Sequence, residues 1–457
     1  MEVFKKTLLK VILYLITNTS NKNLVRIMKL GEFLSIKEIK SHSKAVRKAF
    51  EENNPAIELT RNTLSNLSKN CKEKAIENFF INSEIFGRRK QKKLAKKLGF
   101  GLPWFFVISP TARCNLNCFG CYSGSYKKDD LSFGEIDRIL TEAKELGIYF
   151  ITISGGEPFL REDLLDLFAK HNDMYFQVYT NGTLINKDLA KKLERLGNVA
   201  PAISIEGFEK ETEDRRGKGS FNKVIKAMEN LKEAGVLFGF SATQTKNNLK
   251  SISSNKFIDL MISKGCAFGW YFQYVPIGKK PNTSLMPTPK QRLELKERIK
   301  DIRKTKPIFI GDFWNDGLVV RGCLAGARPR GYFHINCQGN VEPCVFLQFY
   351  VDNIKNKKLI DVIRSPFFKA IQEEQPYCKN KNLCTPCALI DNPQILRKLV
   401  KEYSAKASYE GGEDTIENKK ITSFLDKYSK EIHNLTDSLW EKELCLKHKN
   451  WKEKRFI

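Results

Sequence analysis

The spacing of apolar positions changes character along the chain, and the changes mark out its parts. At the N-terminus Phe4, Leu8, Val11, Ile12, Leu15 and Ile16 recur at helical spacing. Lys5, Lys6 and Lys10 interrupt them, so no run reaches the ~18–20 apolar residues of a membrane span, and no small-residue cleavage site follows. Helical patterns continue over Ser35 to Glu52 and Ile57 to Phe80, separated by Asn53-Asn54-Pro55. Ser35 and Glu38 have the spacing of a capping box. Between residues 101 and 285 the period alternates between strand and helix, the signature of βα units around a parallel sheet. Strands are predicted at Phe105 to Ile108, Ile148 to Ser154, Tyr175 to Thr180, Ala202 to Glu206, Leu237 to Thr243 and Trp270 to Val275. A second capping box, Ser132 with Glu135, opens a helix whose apolar stripe is Ile136, Ile139, Leu140, Ala143 and Leu146, and another helix is expected over Leu164 to Lys170. A linker from Lys279 to Pro289 leads to a basic helix, Gln291 to Lys304, and a strand at Ile308 to Ile310. Near the C-terminus Phe424, Tyr428, Ile432, Leu435, Leu439 and Trp440 make one helical stripe. The fold class implied is α/β: a partial (βα)6 TIM-type barrel with a helical N-terminal region and a helical C-terminal tail.

Composition narrows the function classes. With 41% hydrophobic residues among 457, the chain has ample material for a large core. Lys and Arg number 78 against 52 Asp and Glu, a net charge of +26. Such a balance attracts anionic partners or solvates a lysine-rich surface. The run from Arg88 to Lys97 is densely basic but carries no interleaved aromatics, which weakens a nucleic-acid reading. The amphipathic N-terminus and the segment Trp451 to Ile457 leave peripheral contact with an anionic membrane surface as a partner reading. Twelve cysteines without a secretory signal point to a reducing, cytoplasmic setting and to metal ligation rather than disulfides.

The chemistry concentrates where the first predicted strand ends. Cys114, Cys118 and Cys121 follow it at spacing C-x3-C-x2-C. Thiolates select iron–sulfur clusters, zinc or copper(I), and three ligands leave one metal corner open. After the second strand comes Gly155-Gly156-Glu157-Pro158, where the glycines permit close backbone approach. Asn181 ends the third strand, Ser204 and Glu206 the fourth, and Gly278 follows the sixth. All these positions fall at C-terminal strand ends, where such folds gather their active sites. Six further cysteines lie between 323 and 387: Cys323, Cys337, Cys344, Cys378, Cys384 and Cys387. Four thiolates there suit zinc as well as an iron–sulfur cluster. Cys71, Cys266 and Cys445 are isolated, and His334 reads as packed rather than ligating.

Together these motifs resemble the radical S-adenosylmethionine (SAM) enzymes. The cysteine triad is similar to that family's C-x3-C-x-aromatic-C, except that Gly120 precedes the third cysteine and the aromatic, Phe119, lies one place earlier. The resemblance implies a [4Fe–4S] cluster on Cys114, Cys118 and Cys121, with SAM on its fourth iron. It implies SAM contacts from Phe119, Gly120, Gly155, Gly156, Glu157, Pro158, Asn181, Ser204, Glu206 and Arg216, with Glu157 at the methionine amino group and Arg216 at the SAM carboxylate or bridging loops. The second cysteine group resembles the twitch and SPASM auxiliary domains. One auxiliary [4Fe–4S] cluster is expected, on Cys323, Cys344, Cys384 and Cys387, with Cys378 as substitute or supplement. The expected parts are residues 1–100, the helical basic region; 101–285, the radical SAM partial barrel; 286–320, a linker helix and strand; 321–392, the auxiliary domain; and 393–457, the helical extension. The implied reaction is reductive cleavage of SAM to a 5′-deoxyadenosyl radical that abstracts hydrogen from an unactivated carbon, with a flavodoxin or ferredoxin as reductant. The substrate reading is a peptide or protein, with a membrane lipid chain as the alternative. The non-enzyme alternative is an iron–sulfur or zinc module that binds nucleic acid.

Overall fold

The computed structural model describes residues 19–33, 48, 50–52, 54–127 and 129–444. The alternating segment builds one sheet. Its parallel strands are β1 (Phe105–Ile108), β2 (Phe150–Ile153), β3 (Tyr175–Thr180), β4 (Val199–Ser204), β5 (Gly239–Gln244), β6 (Phe268–Gln273) and β7 (Phe309–Asp312). They stand side by side in chain order. All six expected strands are present. The short strand expected beyond them pairs with β6 from Phe268↔Phe309 to Tyr271↔Asp312 and extends the sheet.

The other edge of the sheet is built by the cysteine-rich segment. There β8 (His334–Ile335) lies parallel to β1, β9 (Asn340–Glu342) runs antiparallel to β8, β10 (Phe349–Tyr350) stands outside, and β11 (Asp352–Asn353) pairs antiparallel with β9. A separate two-stranded sheet joins β10 to β12 (Lys406–Ala407). Strand β2 is buried at every position and β3 at all but one, as parallel strands covered on both faces are. The helix Phe133–Glu145 buries Ile136, Ile139, Leu140 and Ala143 of its predicted stripe, and both hydrogen bonds of its capping box form.

Two expectations shift. The single helix foreseen from Ile57 to Phe80 is divided into Pro55–Asn66, Lys69–Lys74 and a π-helix, Ala75–Gly87. The division falls at Leu67, which is extended, and Ser68, whose hydroxyl accepts from the Cys71 N–H at 3.2 Å and starts a new helix. The basic run forms the helix Arg88–Leu98, which buries none of its residues. The C-terminal helix Lys419–Leu439 buries Ile421, Leu425, Tyr428, Ile432 and Thr436, whereas Leu435 and Leu439 are 39% and 43% exposed. Packing against the helices Pro289–Thr305 and Pro393–Glu402 selects that face. No described helix is long and apolar enough to cross a membrane. The expected stripe at residues 1–17, the capping box at Ser35, Cys445 and the segment Trp451 to Ile457 lie outside the described residues.

Candidate metal centres

The loop leaving β1 is held on three sides. Against β2, the Gly156 N–H donates to the Thr111 carbonyl at 2.9 Å and the Glu157 N–H to the Arg113 carbonyl at 2.8 Å. A Cβ on Gly155 would stand 2.4 Å from the Thr111 oxygen, and one on Gly156 2.1 Å from the Arg113 oxygen. The glycine pair thus makes room for the backbone of the cysteine loop itself. Against the segment after β4, the Phe119 N–H donates to the Arg215 carbonyl at 2.9 Å. Against the segment after β6, Gly278 has φ +72°, and a Cβ there would stand 2.4 Å from the Cys121 carbonyl oxygen.

Cys114 is exposed and Cys118 and Cys121 half-buried, and the three lie within electrostatic reach of one another. Desolvation raises the thiol pKa of Cys114 and of Cys118, and Arg216 and Arg215 partly offset it at Cys118. Such thiols are set to lose their protons on metal binding. Two N–H groups already point at one sulfur, the Leu116 amide at 3.5 Å and Asn181 Nδ2 at 3.8 Å from Cys114 Sγ, while Ser123 Oγ, whose hydroxyl donates to the Gly155 carbonyl at 2.9 Å, lies 3.4 Å from Cys121 Sγ.

The strand-end acids are committed within the chain. Glu157 is fully buried and its carboxylate accepts from the Asn181 N–H at 2.7 Å, Thr180 Oγ1 at 2.8 Å and the Phe159 N–H at 3.1 Å. Burial outweighs these bonds and raises its pKa. Buried Glu206 accepts from Arg215 Nη1 at 2.5 Å, Arg216 Nε at 3.0 Å and Nη2 at 2.5 Å, and the Thr243 N–H at 3.0 Å. Burial pushes its carboxyl up, but the two guanidinium groups outweigh that and hold it below the usual range. Arg216 thereby places positive charge beside Cys118 and Cys121 while paired to Glu206. Buried Pro158 starts a 3-10 turn, Ser204 Oγ lies 3.4 Å from Ser241 Oγ, Phe119 is 46% exposed, and Gly120 at φ +63° packs on Tyr274.

The second cysteine group divides. Cys323, Cys344 and Cys387 line one cavity, and Cys323 acts electrostatically on both partners. Cys384 lies outside that lining, its Sγ 3.8 Å from Lys296 Nζ. Cys378 Sγ accepts from the Asn382 N–H at 3.1 Å. Cys337 packs with Tyr126 and Tyr409, and Cys71 and Cys266 are core residues. Among the described residues no three His, Cys, Asp or Glu side chains converge into the shell of one ion. Donor sets of thiols alone, spread more widely than a single-ion shell, suit clusters whose ligands bind separate irons.

A buried network beneath the cysteine loop has no motif to announce it. Ser109 Oγ meets His334 Nε2 at 2.7 Å, and His334 Nδ1 meets Glu342 Oε2 at 2.7 Å. Glu342 also accepts from Tyr126 at 2.9 Å and from Asn336 Nδ2 at 2.9 Å. The only trace in the sequence is a histidine and a glutamate in short strands on either side of a glycine turn.

Residues 108–245 match the radical SAM superfamily and residues 323–388 an iron–sulfur cluster-binding domain, SPASM. The mycofactocin maturase MftC of Mycolicibacterium smegmatis is 29% identical over 64% of this chain and 77% of its own length. The AdoMet-dependent heme synthase of Oleidesulfovibrio alaskensis is 27% identical over 61% of this chain and 80% of its own. Among solved structures, Streptococcus suis SuiB bound to S-adenosylmethionine superposes with a TM-score of 0.55 at 20% identity, over 65% of this chain and 75% of that one. That likeness is one of fold.

Proposed function

This chain is a radical SAM superfamily enzyme with a C-terminal iron–sulfur cluster-binding domain, and from that premise we propose that Cys114, Cys118 and Cys121 hold its SAM-binding [4Fe–4S] cluster. The observation that supports this assignment is the pinning of one three-thiol loop by the segments after β2, β4 and β6 at once. When bound, the cluster and SAM supply a one-electron cleavage of the sulfonium and so the power to take hydrogen from an unactivated carbon.

The chain's own residues orient and enclose. Glu157, fixed by three donors, anchors the Asn181 turn over Cys114. Glu206 holds Arg216 in place, so that its charge faces Cys118 and any carboxylate brought beside it. Gly155 and Gly156 bring the loop down onto β2, and Phe119, Gly120, Pro158 and Ser204 complete the rim. Buried aromatic and aliphatic side chains of β1 to β6 exclude water beneath the site.

The substrate we propose is a peptide or protein, supported by the kinship with a maturase and by the fold shared with SuiB, which was also solved bound to its precursor peptide SuiA. An acidic flavodoxin or ferredoxin is the reductant that a chain of net charge +26 would attract. Anaerobic reconstitution with iron and sulfide, then SAM and dithionite, tests the assignment by the yield of 5′-deoxyadenosine. The intact chain should release it and Cys118→Ala should lose it by at least ~100-fold, about 2.7 kcal/mol in barrier terms. Zinc in place of iron, or equal yields from both proteins, would refute the reading.

A further inference from the structure

The basic run from Arg88 to Lys97 takes no part in the candidate site. In the helix Arg88–Leu98, 11 residues long, every residue but Gln91, Leu94, Ala95 and Leu98 is Arg or Lys, and none is acidic. Its inward side is Gln91, whose Nε2 donates to the Pro103 carbonyl at 2.8 Å, with Leu94 and Leu98 packed on the core. Arg89, Lys92, Lys93, Lys96 and Lys97 are exposed. Among the described residues the helix makes one ion pair, Arg88 to Glu84 at 3.2 Å. Like charges at helical spacing repel, and an anionic partner relieves that repulsion.

The positive face continues onto the segment that carries Cys323. The Gly331 carbonyl accepts from the Trp104 N–H at 3.0 Å, and a Cβ on Gly101 would stand 2.1 Å from Pro329 Cγ. This contact brings exposed Arg330 within electrostatic reach of Arg88 and Arg321; desolvation and then those two charges lower its pKa, against Glu84. Arg321 and Arg330 both stand at φ +61°, in the left-handed region that disfavours side chains. Val319, two residues before Arg321, is 71% exposed, the most of any large apolar residue described, and Cys323, two residues after it, keeps partial exposure. The face lies at the opposite end of the sheet from the cysteine loop of β1. Pro103, which Gln91 holds, precedes β1, and Gly147, whose added Cβ would meet Lys90 Cβ at 3.1 Å, precedes β2. A substrate bound for the three-thiol loop approaches the other end. A lipid layer fits poorly too, because the apolar side of the helix is spent on the core and none is left to enter acyl chains.

We infer that the outward side of the helix Arg88–Leu98, with Arg330, Arg321 and Val319 beside it, is the docking face for the acidic one-electron reductant. Charge without apolar depth suits a partner that is steered in, held briefly and released. A small exposed valine among arginines supplies the apolar contact that a small, transient redox interface needs. In the docked pair the flavin hydroquinone gives up one electron and becomes the semiquinone, an iron–sulfur centre of this chain takes that electron, and no atom crosses the interface. The inference rests on the radical SAM reading, which supplies the need for a reductant, and is tested apart from it.

The test uses the full chain, reconstituted anaerobically, and a bacterial flavodoxin as the probe. One variant carries Arg89→Glu, Lys93→Glu and Lys96→Glu; a control carries Lys420→Glu, Lys427→Glu and Lys430→Glu, exposed positions on the helix Lys419–Leu439. Calorimetric titration with oxidised flavodoxin at low salt reads docking without any chemistry. The first variant should raise Kd by about ten-fold or more, and the control, with the same change in net charge, by less than about two-fold. The difference should vanish near 1 M salt, where the Debye length is about 3 Å. With flavodoxin hydroquinone the first variant should form 5′-deoxyadenosine at least about ten-fold more slowly than the parent, while dithionite drives both equally. Arg89→Gln, Lys93→Gln and Lys96→Gln, which keep helix propensity, should shift Kd in the same direction by less. Equal losses in variant and control, an unchanged Kd, or an equal loss with dithionite would overturn the inference. So would a variant that keeps its flavodoxin affinity but no longer sediments with phosphatidylglycerol vesicles, which would give the face to a membrane. Failure of the wider reading appears elsewhere, as a parent chain that yields no 5′-deoxyadenosine with dithionite, and the titration still decides the docking face.

Discussion

Glu206 is the point at which a single charge supports both the fold and the candidate site, so Glu206→Gln is a sharp perturbation. The carboxylate is 1% exposed, and the Arg215 and Arg216 side chains it holds are 14% and 12% exposed. Glutamine keeps the shape and one acceptor oxygen, but it turns an N–H2 group toward a guanidinium and leaves two buried cations without their counter-charge. Removing one partner of a buried ion pair costs about 3–5 kcal/mol, a large share of a typical stability of about 5–15 kcal/mol. The introduced amide retains a hydrogen bond to one donor, which places the expected loss near the lower end. The pH dependence gives a second, independent reading. Glu206 is held below its unfolded value of about 4.3. Its contribution is therefore complete above that value and fades as pH falls through the lower folded value. Urea midpoints followed by tryptophan fluorescence should separate the two proteins by about 3 kcal/mol at pH 7, and the gap should narrow as pH falls below the unfolded value of about 4.3. Adding Arg216→Gln to the variant should restore part of the loss, with a coupling of about 1–3 kcal/mol. Midpoints that coincide at pH 7, or a gap that stays constant from pH 7 to 3, would refute the reasoning that the carboxylate neutralises this arginine pair.

Three further outcomes follow from other parts of the structure. Gly156→Ala places a Cβ 2.1 Å from the Arg113 carbonyl oxygen, so the cysteine loop must move; iron per chain should fall by about half, one cluster of two, while far-ultraviolet circular dichroism stays that of the parent. Asp312, buried at the end of β7, has its carboxyl pushed up to about 6 by desolvation. A raised acid favours the fold below its unfolded value of about 3.9, so stability should decline by about 3 kcal/mol as pH rises from 4 to 6 in urea melts, and Asp312→Asn should remove that decline. Ile432→Ala, at a position with 0% exposure, should cost about 2–5 kcal/mol, and Leu435→Ala, at one 39% exposed, should stay within about 0.5 kcal/mol; equal losses would restore the predicted stripe.

What could be read from the sequence depended on whether the signal was local. Strand β3 has the boundaries its run implies, because the Asn181-Gly182 turn stops it at its C-terminal end. Strand β4 begins three residues early, since Pro201 reads as a break although the sheet accommodates it. The C-terminal helix carries two interleaved apolar faces, and only its neighbours decide that Leu425 and Ile432 are buried while Leu435 is not. The motifs located the candidate site without explaining it. Gly155-Gly156 is legible as a place of close approach, but what approaches is the Thr111–Arg113 backbone, from the far end of the intervening helix. Glu206 and Arg216 are legible as polar groups, but their pairing is a tertiary fact. The division of the second cysteine group could not be read at all, because it depends on which way a scaffold of Arg292, Asp391 and Asn382 turns one thiol.

The two cysteine groups are nevertheless mechanically one object. Strand β8, from the segment matched as a cluster-binding domain, pairs with β1 at Val107↔His334 and Ile108↔Ile335, the residues that lead into the first cysteine loop. The Ser109–His334–Glu342–Tyr126 chain then ties that loop to β9 through side chains that are all at least nine-tenths buried. Breaking a buried polar chain leaves unpaired groups at about 1–3 kcal/mol each, so a shift of the auxiliary hairpin of even a bond length is resisted at the first loop. The hairpin that leads to Cys344 is therefore joined to the strand entering the loop of Cys114, Cys118 and Cys121 by ladder pairing and buried hydrogen bonds rather than by a flexible linker.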